Sequence, residues 1–349
     1  MSLGFTSRGW TMALCVAPLV LSACAIFEEP DAPATPATFS FGAWGDLPYA
    51  RNNDAPKMAA LIDDMNASDI AFSIFDGDIK DSSVACDDAS YEAAIDRFDT
   101  LSKPAIYVPG DNEWTDCFHP KSGGYDPIER LGHLRRVMFA APESFGATTL
   151  PLDQQGKPGG KYAENTRFQY GGIVFVQLNV AGSNNNRVNG AKSCLAKERR
   201  NQQQCDADNA EFEARDIANI AWMYAGFALA RVTAAPGIVL TFQADPHFDA
   251  QDAKDPDDPA ALENSGYVRF VAELVQLARY FPGQILLIHG DSHYFRLDKP
   301  LLKQADLIPN VTRLETFGSP NADWVKVTVD PVSRQVFTVQ SMIVPQPAE

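Results

Sequence analysis

The chain has 349 residues, with 45 acidic against 29 basic side chains and a formal net charge of −16 at pH 7. That balance argues against a general electrostatic hold on nucleic acid or anionic lipid, and it makes divalent cations plausible partners. With 45% apolar residues the chain can fill a substantial core, which excludes a disordered polyelectrolyte.

The first 24 residues, "MSLGFTSRGWTMALCVAPLVLSAC", place Arg8 ahead of an apolar stretch from Trp10 to Leu21. That stretch is too short to span a bilayer as a helix and has the form of an export signal. Its end, "LSAC", resembles the lipobox of bacterial lipoproteins. The resemblance implies cleavage after Ala23 and lipidation of Cys24, and Ala25 in the next position implies the outer membrane rather than the inner one. Residues 1–23 are therefore expected to be a signal peptide and 24–38 a Pro/Ala-rich tether. Residues 39–349 are expected to form a single domain that meets the membrane through the lipid anchor only.

Beyond the tether, short β-rich runs alternate with longer amphipathic ones. Strands are predicted over 39–45, 69–76, 104–109, 166–170, 173–180, 237–243, 284–289, 311–317, 324–329 and 335–343, and helices over 54–66, 89–100, 127–139, 207–234 and 261–280. Helices between the first three strands call for parallel β-α-β units, whereas short turns after residue 311 predict antiparallel hairpins. The fold class is α/β: two mixed β-sheets flanked by helices.

Four cysteines lie beyond the signal and the lipid site, and in an oxidising compartment an even number suggests two disulfides. Cys194 and Cys205 bracket the loop "LAKERRNQQQ" and would close it. Cys86 and Cys117 each follow a Gly-Asp pair by a few residues, so joining them would tie two loops at one face.

Gly-Asp recurs. The runs "FSFGAWGD", "IAFSIFDGD", "IYVPGD" and "ILLIHGD" all end in it. In open α/β sheets ligand groups gather at the carboxyl ends of the strands, where loops converge. Acids arrayed there without a cation would repel one another.

In order and spacing these blocks resemble the calcineurin-like metallophosphoesterase superfamily over about residues 39–300. The blocks read "GDLPY" (45–49), "GDIKD" (77–81), "GDNE" (110–113), "FQADP" (242–246) and "HGDSH" (289–293). The resemblance implies a four-layer sandwich and a centre of one or two divalent cations. Asp46 would bind the first metal, Asp78 would bridge two, Asp111 would take the place of an asparagine ligand to the second, and His293 would match the last histidine. Glu113 would stand behind the ligands. Three histidines of the pattern are replaced, by Pro48, Asn112 and Asp291. Gln243 takes the place of the ligand before the proline, with Asp245 as the alternative. The expected ligand set is thus Asp46, Asp78, Asp111, Gln243, Asp291 and His293. Oxygen donors dominate it, so manganese, magnesium or calcium is preferred over zinc, with iron possible.

The chemistry so implied is hydrolysis of a small-molecule phosphate ester, mono- or diester, by a hydroxide activated at the metal centre. Asp78, Asp111 and Asn112 would lie nearest the reaction. Asn112 can donate a hydrogen bond to a phosphate oxygen but cannot protonate a leaving group. His119 and His247 are candidate replacement acids, although a surface or structural role suits each better. Arg187, in "NVAGSNNNR", could grip a phosphate or belong to a solvated loop, and Arg296 could neutralise a phosphate or pair with Asp298, the pairing being preferred. The competing function is a degenerate relative that keeps the fold and serves as a binding or scaffold protein of the cell envelope.

Overall fold

The computed structural model describes residues 37–188, 194, 200–246, 248, 265–302 and 307–345. Cys24 and His247 lie outside them. The first half runs β1 (Phe39–Trp44), α1 (Ala55–Ala67), β2 (Ser73–Phe75), α2 (Asp88–Phe98), β3 (Ala105–Tyr107), α3 (Pro127–Met138), β4 (Asp153–Gln154), β5 (Thr166–Tyr170) and β6 (Ile173–Gln177). It continues through α4 (Gln202–Val232), β7 (Gly237–Thr241), α5 (Val268–Arg279), β8 (Gln284–His289), β9 (Arg296–Asp298), β10 (Val311–Glu315), β11 (Trp324–Val329) and β12 (Phe337–Met342).

Local chemistry sets the helix starts. The Asp87 side chain accepts from Ser90 N at the start of α2, and Asp126 caps α3 ahead of Pro127. Helix α4 begins earlier than residue 207 because Asn201 and Gln204 form a reciprocal capping box.

Five strands form one sheet in the order β12-β11-β1-β2-β3, and seven form the other in the order β4-β5-β6-β7-β8-β10-β9. Strands β1, β2 and β3 are parallel, as are β6, β7, β8 and β10. Alternation along each strand builds the layers. Phe41, Ile74 and Ile106 face Phe175, Val239 and Leu286 between the sheets. Trp44, Phe75 and Tyr107 turn outward onto α1, α2 and α3, while Val176, Leu240 and Leu287 turn onto α4 and α5. The result is an α/β sandwich of two mixed sheets with helices outside.

The expectation of antiparallel hairpins throughout 311–343 is corrected. Only β11 and β12 form one; β10 lies parallel to β8 inside the seven-stranded sheet, and β11 crosses to pair antiparallel with β1. Strand β10 is buried at four of its five positions, as an internal strand covered on both faces must be. The two-residue β4 and three-residue β9 carry too little apolar pattern to be read from sequence.

Candidate functional site

Each Gly-Asp pair lies just past the end of a strand: directly after β1 and β8, after Asp76 at β2, and after Val108 and Pro109 at β3. Three of these acids, and His293 beside them, adopt left-handed backbone conformations: Asp46 (φ 51°), Asp78 (φ 62°), Asp291 (φ 75°) and His293 (φ 59°). Such conformations are uncommon outside glycine, and here they turn the side chains off the strand ends toward one another. The glycines ahead of them allow the close approach. A Cβ on Gly110 would collide with the Asp78 carboxylate, and one on Gly290 with that of Asp46.

The hydrogen bonds show the convergence. Asp291 N donates to Asp46 Oδ2 at 3.1 Å, and Asn112 N donates to Asp78 Oδ1 at 3.0 Å. Tyr49 OH donates to Asp78 Oδ2 at 2.6 Å. Gln243 Nε2 reaches Asp111 Oδ1 at 3.3 Å and Asp291 Oδ1 at 3.2 Å, while its own Oε1 accepts from Gly182 N at 2.6 Å. Gln243 therefore faces the acids with its amide N–H group. His293 Nδ1 lies 2.7 Å from the Ser319 carbonyl, which can only accept, so Nδ1 carries the proton. That leaves Nε2 directed at Asp46 Oδ1, 3.5 Å away, the orientation that suits a metal-ligating imidazole. Asp46, Asp78, Asp111 and Gln243 are buried, and Asp291 and His293 are partly exposed.

Among the described residues, no lysine or arginine forms an ion pair with Asp46, Asp78, Asp111 or Asp291. The electrostatic consequence is large. Burial, followed by the charges of Asp111, Glu113 and Asp46, holds the Asp78 carboxyl well above its usual range. Burial, Asp111 and Asp46 do the same to Asp291, and burial raises Asp111. Burial alone would lower the His293 imidazolium, but the hydrogen bond and charge of Asp46 outweigh it and raise it.

Among the described residues, no three His, Cys, Asp or Glu side chains yet meet around one point as a chelating set. The acids instead accept from protein donors. The Asn112 amide bonds to Asp78 Oδ2 and to the Tyr49 oxygen, and Gln243 spans Asp111 and Asp291. The donor set nonetheless fits a hard cation, because the carboxylates are clustered and buried and, among the described residues, have no ion-paired lysine or arginine. Turning the Asn112 amide over would place its oxygen against Asp78, which is favourable only with a cation between them.

Glu113 supports the loops from behind. Its Oε1 accepts from Gly110 N at 2.7 Å, Tyr107 OH at 2.8 Å and Asp78 N at 3.2 Å, while Tyr91 OH donates to its carbonyl at 2.6 Å. The Cys86–Cys117 disulfide lies against the same loop, its sulfur atoms 3.4 and 3.8 Å from the Asn112 carbonyl. The second disulfide joins Cys194 to Cys205.

Residues 183–186 form a left-handed turn, with φ between 49° and 62° at all four, and Ser183 Oγ donates to Asp111 Oδ2 at 2.8 Å. Arg187 donates to Ser265 O at 3.0 Å. The expected Arg296–Asp298 pair is replaced: Asp298 pairs with the buried Arg313, and Arg296 Nε lies 3.5 Å from Glu315. A guanidinium buried on β10 needs the carboxylate more than an exposed one does. His119 is exposed beside the Phe118 ring. Sequence reasoning passed over Asp76, which is fully buried behind Asp46 with Oδ2 accepting from Thr316 Oγ1 at 2.8 Å. Its signal was an extra acid closing the apolar run "SIFDGD".

No protein-family model matches the sequence, and no curated protein matches it. Solved structures do. PhoD is 12% identical, over 88% of this chain and 70% of that one, with a TM-score of 0.47. GAP50, the anchor in the inner membrane complex of Plasmodium, is 10% identical over 88% and 89%, with a TM-score of 0.43. The purple acid phosphatase PPD1 from yellow lupin (Lupinus luteus) seeds is 13% identical, with a TM-score of 0.42; 89% of this chain is covered against 54% of that longer one.

Proposed function

We propose that the chain is a metal-dependent phosphoesterase, hydrolysing a small-molecule phosphate mono- or diester at a centre of one or two divalent cations. The observation that carries this reading is the convergence of Asp46, Asp78, Asp111, Asp291 and His293 from four strand ends into one cluster without an ion-paired lysine or arginine among the described residues. Asp46, Asp78 and His293 would hold one cation, and Asp78, Asp111 and Asp291 the other. Bound there, divalent cations supply Lewis-acid charge for phosphoryl oxygens and lower the pKa of water. Oxygen-rich ligation favours manganese, magnesium or calcium over zinc.

The chain's own residues do the rest. Gln243 and Ser183 hold the two carboxylate oxygens of Asp111, and Glu113 fixes the loops bearing Asp78 and Asp111. Released from Asp78 and Tyr49, the Asn112 amide would donate to a phosphoryl oxygen and supply no proton, so esters with good leaving groups are the better substrates. Export as a lipoprotein completes the proposal, supported by "LSAC" and by two disulfides, which suit an oxidising compartment. Among the described residues no helix is long and apolar enough to cross a membrane.

One feature favours a second reading, a metal-free binding or scaffold protein: the amides of Asn112 and Gln243 bond the acids directly. Metal analysis of protein purified without chelator separates the two, followed by turnover of an activated phosphomonoester and phosphodiester with Mn²⁺, Mg²⁺ and Zn²⁺ added separately. Bound cation with turnover supports the first; neither supports the second.

A further inference from the structure

Arg51 is exposed, and among the described residues its guanidinium forms no ion pair or hydrogen bond; it lies 4.8 Å from the centroid of the Tyr49 ring. The same ring meets the His293 imidazole edge-on at 4.9 Å, and its hydroxyl is 2.6 Å from Asp78. One aromatic ring thus touches both an exposed cation and the acid cluster. The backbone beneath it is held firmly. Arg51 N donates to Asp81 Oδ2 at 3.0 Å, Asn52 Nδ2 donates to Ser319 Oγ at 2.6 Å, and Tyr49 N donates to Asp54 Oδ2 at 3.1 Å. Asp81, last acid of "GDIKD", therefore anchors the turn that carries Arg51. The other arginines considered for phosphate are engaged: Arg187 with Ser265, and Arg296 with Glu315.

We infer that Arg51 is a substrate-binding residue that grips the non-bridging oxygens of a phosphate group presented to the acid cluster, and that it favours dianionic monoesters over diesters. The inference rests on the phosphoesterase reading for its substrate. A planar guanidinium offers two parallel N–H donors to a phosphate, and cation–π contact with Tyr49 pre-orients it. Among the described residues the Arg51 guanidinium forms no ion pair with a carboxylate, although its charge reaches Asp81 and His293. A monoester carries more charge and one more free oxygen than a diester, so it gains more from the contact.

The test uses the disulfide-bonded protein supplemented with Mn²⁺. Inorganic phosphate affinity is measured by calorimetry, and KM and kcat are measured for an activated monoester and an activated diester, in the unaltered protein, Arg51→Ala and Arg51→Lys. Arg51→Ala should weaken phosphate binding and raise the monoester KM by about tenfold, with kcat and thermal stability little changed and the diester KM raised by about threefold or less. Arg51→Lys should recover part of the loss. Unchanged phosphate affinity and KM in Arg51→Ala would overturn the inference, as would an equal loss in both variants accompanied by lowered stability, or an unaltered protein that binds no phosphate. Arg51-dependent phosphate binding without hydrolysis of either ester would sink the phosphoesterase reading and leave this one standing. Hydrolysis indifferent to Arg51 would do the reverse.

Discussion

The main-chain N–H of Asp291 donates to the Asp46 carboxylate at 3.1 Å, joining residues 245 apart in sequence that follow strands of different sheets. The site is therefore closed across the sandwich by a direct backbone contact, and Gly290 makes room for it. Gly290→Ala should push the Asp46 and Asp291 loops apart, lower thermal stability by the equivalent of about 1–3 kcal/mol, and weaken cation binding. Denaturant unfolding and metal titration check it; wild-type values for both would show that the contact is dispensable.

The raised carboxyls give stability a definite pH dependence. Asp78 and Asp291 are held well above the usual range, first by burial and then by neighbouring acids. Their folded forms keep protons that the unfolded chain releases above about pH 4. The native state then binds more protons, so this stabilisation is complete at low pH and is lost as pH rises through the folded values. Chelator-treated protein should melt higher at about pH 5.5 than at about pH 8, and Mn²⁺ or Ca²⁺ should raise Tm more at the higher pH, where protons no longer compete. A chelated protein whose Tm climbs with pH over that interval would refute the assignment of these shifts.

Loss of the Cys86–Cys117 bond should be felt at the site. Its sulfurs abut the Asn112 carbonyl, and Asn112 N in turn holds Asp78. Cys86→Ser with Cys117→Ser should cost about 2–4 kcal/mol and weaken metal binding, whereas losing the Cys194–Cys205 link should leave metal affinity unchanged. Equal effects of the two pairs on metal affinity would argue against a positioning role.

Cys24→Ser should release soluble or uncleaved precursor in place of a membrane-associated lipoprotein. Fractionation and N-terminal sequencing decide the point. An unchanged membrane fraction with a different N-terminus would exclude lipidation at Cys24.

The acid-bearing strand ends were legible because each apolar run stops abruptly at Gly-Asp, and the two-sheet plan followed from helices between parallel strands. What sequence could not show was lateral. Thr316 meeting Asp76, Arg51 over Tyr49 and Asn112 turning to Asp78 depend on loops from distant strands, with no local period to announce them. The placement of β10 was hidden because a strand buried on both faces loses the alternation that marks a hairpin. The left-handed run 183–186 was hidden because asparagine tolerates that conformation while equally suiting an ordinary turn.

The central claim is that Asp78 holds cations, and the most direct measurement is metal content across a set of folded variants purified without chelator. Asp78 accepts from Asn112 N, the Asn112 amide and Tyr49 OH, and it stands between the other acids, so Asp78→Asn removes charge from both proposed cation positions. Asp111→Asn places there the residue that the metallophosphoesterase resemblance of the sequence implies and should keep the most metal, with Asp46→Asn and His293→Ala between. The expected result is that order in metal content and in any phosphoesterase turnover, with Asp78→Asn lowest. Asp78→Asn that folds and binds metal like the unaltered protein would contradict it.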